Sequence, residues 1–140
     1  MSKRQGRSCF VLIPPREALA EWGRYDRPIA SVLEEFDAGQ TIEDVLTCIQ
    51  TGRMQLWREL SRRAVGVTEV LEFPKYRVLL VYIVVGSGVR DWAGGLQQLE
   101  RYARARGCKY LEFVGRPGWE KLAALHGFDR KFIRMRKSMQ

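Results

Sequence analysis

Residues 78–85 form the longest apolar run in the chain, apolar at both parities and rich in valine. That is the pattern of a central strand covered on both faces. A glycine-containing loop, Gly86-Ser87-Gly88-Val89-Arg90, follows, and a helix is predicted from near Asp91, with Trp92, Leu96, Leu99 and Ala103 along one face and Gly107 at the stop. Residues 109–114 then read as a second strand. Strand, loop, helix and strand in that order make a crossover unit, which sets its two strands parallel and right-handed. No other part of the sequence restricts the fold as much.

The other elements are placed around this unit. A first strand over 9–13 is closed by Pro14-Pro15, where the missing backbone donor stops a ladder. A short helix is predicted over 16–22. In a second helix Ile29, Val32, Leu33 and Phe36 make the buried stripe, and in a third Ile42, Val45, Leu46 and Ile49 do so. Thr41 and Asp44 stand at capping-box spacing before the third helix, and Gly52 ends it. Residues 54–60 and 64–73 alternate as strands do and, with the turn Pro74-Lys75-Tyr76, predict an antiparallel meander leading into the central strand. Pro117 opens a further helix reaching His126, Gly127 ends it, and residues 130–137 are expected to form a last, basic strand. The 140 residues fit one α/β domain over 9–140, preceded by a basic flexible arm over 1–8.

Twenty-four Lys and Arg against sixteen Asp and Glu give a net charge of +8, so polyanions are plausible partners. The excess gathers at Lys3, Arg4 and Arg7, on the outer helix face at Arg101, Arg104 and Arg106, and at Arg130, Lys131, Arg134, Arg136 and Lys137. Such clusters can follow a phosphate backbone, although no recognition-helix pattern accompanies them. An apolar run of eight residues is less than half a membrane span, and the stretch after the basic N-terminus is too short for a secretory signal. The expected place of work is the cytoplasm or a particle assembled there. Cys9, Cys48 and Cys108 are expected to be small buried thiols, and with a single histidine no metal site is expected. His126 sits where an imidazole complements a helix C-terminus. Trp22, Trp57, Trp92 and Trp119 are expected as core or interface anchors.

A strand that hands a glycine-containing loop to a helix N-terminus makes an anion site, because free amides point outward where the helix dipole is positive. Here the sequence resembles the GNAT superfamily of N-acetyltransferases, whose Arg/Gln-x-x-Gly-x-Gly/Ala motif appears in degenerate form as Arg90-x-x-Ala93-x-Gly95. The segment Trp119 to Phe128, ending in Leu125-His126-Gly127-Phe128, resembles a second region of that family. The resemblance implies a mixed, mostly antiparallel sheet with a parallel βαβ crossover and flanking helices. It implies acetyl-CoA as the cofactor if the chain is active, with Val85, Arg90, Ala93, Gly94 and Gly95 as the cofactor-binding residues. More narrowly, Glu43-Asp-Val-Leu46, Gln55-Leu-Trp57, Thr68-Glu69, Gly107-Cys108 and Gly115-Arg-Pro-Gly-Trp119 look like small acetyltransferase-like proteins of tailed bacteriophages.

The departures from the family pattern bear on catalysis. The family's general-acid tyrosine position is Ala123, and an alanine cannot reprotonate a thiolate. The central strand carries no carboxylate, which leaves Glu69 and Glu72 on the preceding strand as the catalytic candidates, of which only one can face a given cleft. Asp91 opposes a phosphate at the helix start, and Trp92 adds bulk there. Two functions follow. One is a non-catalytic structural or DNA-associated virion component, in the host cytoplasm and virion. Its basic termini would contact other virion proteins or packaged nucleic acid, with room for an oligomer. The other is an active acetyl-CoA-dependent N-acetyltransferase.

Overall fold

The computed structural model describes residues 10–61, 63–86, 92–115 and 117–140, and only the backbone at 92–94 and 117. Strands β1 (Phe10–Ile13), β2 (Met54–Glu59), β3 (Ala64–Glu72), β4 (Arg77–Gly86) and β5 (Cys108–Phe113) form one sheet in the order β1-β2-β3-β4-β5. The first three pairings are antiparallel and β4 with β5 is parallel, as the crossover requires. The apolar strand is thus fourth of five rather than the middle one. It is covered on both faces all the same.

Helices α1 (Pro15–Trp22), α2 (Asp26–Glu35) and α3 (Ile42–Gln50) fill the connection from β1 to β2, and α4 (Trp92–Ala105) is the crossover. The third helix starts as its sequence demands: Thr41 Oγ1 accepts from the Asp44 amide at 3.1 Å, and Asp44 Oδ2 accepts from the Thr41 amide at 2.9 Å. Gly52, which follows this helix, has φ +84°, a conformation glycine adopts without a Cβ penalty.

Strand alternation divides the core in two. Ile13, Met54, Leu56, Val65, Val67 and Ile83 meet Trp22, Ile29, Leu33, Val45 and Ile49 of α1–α3. Phe10, Trp57, Ala64, Leu79 and Val81 meet Leu99 and Ala103 of α4. Ile29, Ile49, Leu56 and Leu79 are fully buried, each contributing roughly 1.5–3 kcal/mol by leaving water. On the α4 side, Trp57 Nε1 donates to Thr68 Oγ1 at 2.9 Å and the Thr68 hydroxyl donates to Gln55 Oε1 at 2.9 Å. Three polar groups are thereby satisfied inside the sheet, where an unpaired one would be costly.

Besides Phe36, which was expected in the buried stripe of α2 but lies at its C-cap, 42% exposed, the sequence-based expectations need two corrections. Residues 130–137 form no strand: from Phe128 onward the chain joins no ladder. Phe132 and Ile133 fall on opposite parities and cations on both, so a strand there has no apolar face to bury. The segment is held at the surface instead by Arg130, with two bonds to the Glu120 carboxylate at 2.9 and 2.7 Å, and by Arg136, 3.0 Å from Asp37 Oδ2. The second correction concerns the thiols. Cys48 and Cys108 are half-buried rather than enclosed, and burial raises the Cys108 thiol above its ordinary value against the opposing charge of Arg77. Cys9 and the basic arm 1–8 lie outside the described residues. Trp22 and Trp57 are core residues, while Trp119 is only half-buried beside Phe113.

Candidate functional site

The parallel pair does not stay paired along its whole length. Its ladder runs from Arg77 opposite Cys108 to Val81 opposite Phe113, and the Val114 amide donates to the Val81 carbonyl at 3.2 Å. Beyond that bond β4 continues to Gly86, while β5 has ended and the chain turns through Gly115 into the 3-10 turn Pro117–Trp119 and α5 (Glu120–Leu125). The last residues of β4 therefore border a splay between two strands. This is the kind of opening where the carboxyl ends of parallel strands receive ligands.

A bulge sits at the mouth of this splay. Val67 is opposite Ile83 and Thr68 opposite Val81, so Tyr82 has no partner on β3. A bulge re-aims side chains next to functional openings. Tyr82 and Ile83 both pack against the α1–α3 core, and the Tyr82 hydroxyl donates to Gln40 Oε1 at 3.0 Å. Burial, and secondarily the charge of Glu69, raises the Tyr82 phenol above its ordinary value. It is therefore a protonated donor at neutral pH.

Of the two carboxylates singled out in the sequence, Glu69 is the one placed near the splay. It lies opposite Leu80, one residue before Val81, with its side chain 17% exposed and an oxygen 3.4 Å from Arg53 Nε. Glu72 points to the opposite face, and its strand position is opposite Arg77 at the far end of β4, where the two make an exposed 2.7 Å ion pair. Tyr82, Gln40 and Arg53 were not among the residues the sequence singled out. The one trace of Tyr82 was a polar tip inside the run 78–85, and nothing local announces the bulge that turns it.

Of the expected cofactor-binding residues, Val85 borders the splay from the α1–α3 side. Gly95 belongs to the buried side of α4, and a Cβ there would come 2.0 Å from the Phe10 ring, so glycine at 95 is needed for close packing of α4 on β1. The side chain of Ala93 and the surroundings of Gly94 lie outside the described residues, as do Arg90, Asp91 and the Trp92 side chain. Ala123 is 8% exposed on the inner side of α5. Phe128 lines, with Val81, Val84 and Leu96, a small apolar cavity of about 20 Å³ under α4. His126 caps α5 and Gly127 follows with φ +88°, as the sequence implies. Among the described residues no three His, Cys, Asp or Glu side chains gather as metal ligands, and no helix is long and apolar enough to cross a membrane.

A mixed α/β sheet of five strands, mostly antiparallel with one parallel pair that splays, flanked by helices on both faces, is the fold of the GNAT-type acetyltransferases. An aminoglycoside acetyltransferase from an uncultured soil metagenomic sample, solved in complex with sisomicin, is similar with a TM-score of 0.69 and 8% identity over 98% of this chain and 99% of that one. An acetyltransferase of Trypanosoma brucei gives 0.62 at 13% identity, covering 94% and 99%. Glucosamine-6-phosphate N-acetyltransferase from Arabidopsis thaliana gives 0.59 at 14%, covering 95% and 99%. No protein-family model and no curated protein matches the sequence. At these identities the likeness is one of fold.

Proposed function

We propose that the chain uses an acetyltransferase fold without acetyl transfer, as a structural or DNA-associated component of a bacteriophage particle. The observation that carries this is Ala123. The position where the resemblance implies the general-acid hydroxyl is a small apolar residue folded into the interior. The placement of charge agrees. Residues 128–140 hold Arg130, Lys131, Arg134, Arg136 and Lys137 on an exposed segment, together with exposed Phe132, Ile133, Met135 and Met139. Such a segment suits contact with packaged nucleic acid or another particle protein. The resemblance to phage proteins supplies the setting. Mass spectrometry of washed particles is expected to find the protein at a fixed copy number; its loss on washing refutes the particle role.

Glu69 and Tyr82 favour a second function, an acetyl-CoA-dependent N-acetyltransferase. Acetyl-CoA, when bound, supplies an activated acetyl group. Val85 and the backbone of β4 beyond Val81 would border it in the splay. Glu69 would accept the proton of an acceptor amine, and the Tyr82 hydroxyl, which donates to Gln40 on the same side of the sheet, would serve as the donor in place of the hydroxyl absent at Ala123. Titration calorimetry separates the two functions. Absence of heat at millimolar acetyl-CoA eliminates the enzyme, whereas binding with turnover that collapses in Glu69→Gln eliminates the non-catalytic assignment.

A further inference from the structure

The end of the β4–β5 pair away from the splay carries a cluster of aromatic rings that neither function uses. Phe73, just past β3, and Tyr76, just before β4, have ring centroids 5.9 Å apart. Tyr76 meets Tyr110 of β5 edge to face, at 5.0 Å and 86°. Phe73 is 50% exposed and Tyr110 45%. Tyr110 lies on the side of β5 opposite Leu111 and Phe113, which pack with α4.

Cations stand among these rings. Lys109 Nζ lies 5.9 Å from the Tyr76 centroid and 5.4 Å from that of Tyr110. Neither Lys109 nor Lys75 in the turn has a carboxylate partner among the described residues. Arg77 offsets Glu72 at 2.7 Å and donates to the Arg106 carbonyl at 3.0 Å, which ties the turn to the α4–β5 connection. Glu112, two residues beyond Tyr110, is the one carboxylate of β5.

Lysines alone would suit any polyanion, and rings alone any apolar surface. Exposed rings with the Lys109 ammonium among them and exposed Lys75 in the adjoining turn match the alternation of base and phosphate along one strand, where each base offers a face to stack and each phosphate a charge. A duplex offers the charge but keeps its bases stacked inside. We propose that this end of the sheet is a binding platform for single-stranded nucleic acid, with Tyr110 and Phe73 as stacking surfaces and Lys75 and Lys109 on the backbone. The platform deepens the DNA-associated part of the proposed function and rests on it for the encounter with nucleic acid.

The test is fluorescence anisotropy of a labelled oligothymidylate of roughly a dozen nucleotides, within the site size of a small domain, titrated with the full chain at several salt concentrations. The wild type is expected to bind with an affinity that falls as salt rises and that exceeds its affinity for a duplex of equal length. Tyr110→Ala is expected to weaken binding about tenfold, the effect of losing one stacked base. Tyr110→Phe, which keeps the ring, is expected to bind as the wild type does, and Lys109→Ala to weaken binding and flatten the salt dependence. A variant with Lys131, Arg134 and Lys137 changed to Ala reports on the tail. If it alone loses affinity while Tyr110→Ala and Lys109→Ala bind normally, the platform is refuted and DNA association through the tail stands. If the wild type binds no oligothymidylate even at low salt, the platform is refuted, and the protein in washed particles would still support the structural role.

Discussion

The two ends of the β4–β5 pair are held by different means. At the splayed end β4 leaves the sheet at Gly86, opposite Ala64, with φ +123°, and a Cβ there would meet the Arg63 carbonyl oxygen at 2.1 Å. The corner next to it is braced by Glu59, whose side chain is 5% exposed and accepts from the Ser61 hydroxyl, the Arg63 amide and the Arg63 guanidinium. At the other end the strands are paired by their ladder, and the ion pair across the turn, Glu72 with Arg77, is half in water. A strand pair that must part needs rigid, buried support beside the opening. One that stays paired is already supported by its hydrogen bonds and can leave its surface groups to contact a partner.

Gly86→Ala tests this contrast most strongly. It adds both a forbidden φ and a clash with backbone, so a loss of about 3 kcal/mol or more is expected in chemical denaturation. A tolerated alanine would show that β4 can leave the sheet in another way. Glu59→Ala comes next. It removes a buried acceptor of several bonds, and a loss of about 2 kcal/mol is expected. Tyr82→Phe, which leaves Gln40 without its donor, is expected to cost about 1 kcal/mol by the same measurement. Glu72→Ala at the paired end is expected to change stability by less than about 0.5 kcal/mol, because an exposed ion pair contributes little. A large loss there would erase the contrast.

Acid sharpens the same comparison. Burial pushes the Glu59 carboxyl up, but the bonds from Ser61 and Arg63 outweigh it and hold the group below its ordinary value. Its folded form therefore binds protons less readily than the unfolded chain. The stability it contributes is complete above the ordinary Glu value of about 4.3 and disappears as pH falls through the lower folded value. Unfolding curves recorded from pH 7 down to pH 3 are expected to show a smaller acid loss in Glu59→Gln than in the wild type. The parts due to Asp44 and Glu120, both lowered by their own bonds, remain. An unchanged acid limb in Glu59→Gln would remove Glu59 as a brace.

Much of the architecture was legible in the sequence because it depends on period and punctuation. The stripe Val45, Ile49 of α3, its Thr41–Asp44 box and the strand alternation that sends Glu69 and Glu72 to opposite faces are local properties. The parallel direction of β4 and β5 followed from the helix between them, by chain geometry. The basic segment 130–137 misled, since strand-like composition was present without a consistent apolar face. The candidate site was less legible. Glu69 was named together with Glu72, and only the register, which puts Glu69 opposite Leu80 and Glu72 opposite Arg77, separates one near the splay from one at the far end.

By itself the sequence determined one mixed α/β domain, its crossover, its basic surplus and the absence of a hydroxyl at Ala123. The tertiary structure decided where β4 and β5 part, that a bulge turns Tyr82 toward Gln40 and Glu69, and that Phe73, Tyr76 and Tyr110 share one surface with Lys109. The physical reason is range. Periodicity and capping are set by neighbours within a turn or two of chain, whereas the splay, the bulge and the meeting of Tyr110 with the Phe73–Tyr76 turn depend on pairings between residues more than a dozen positions apart, which no local pattern encodes.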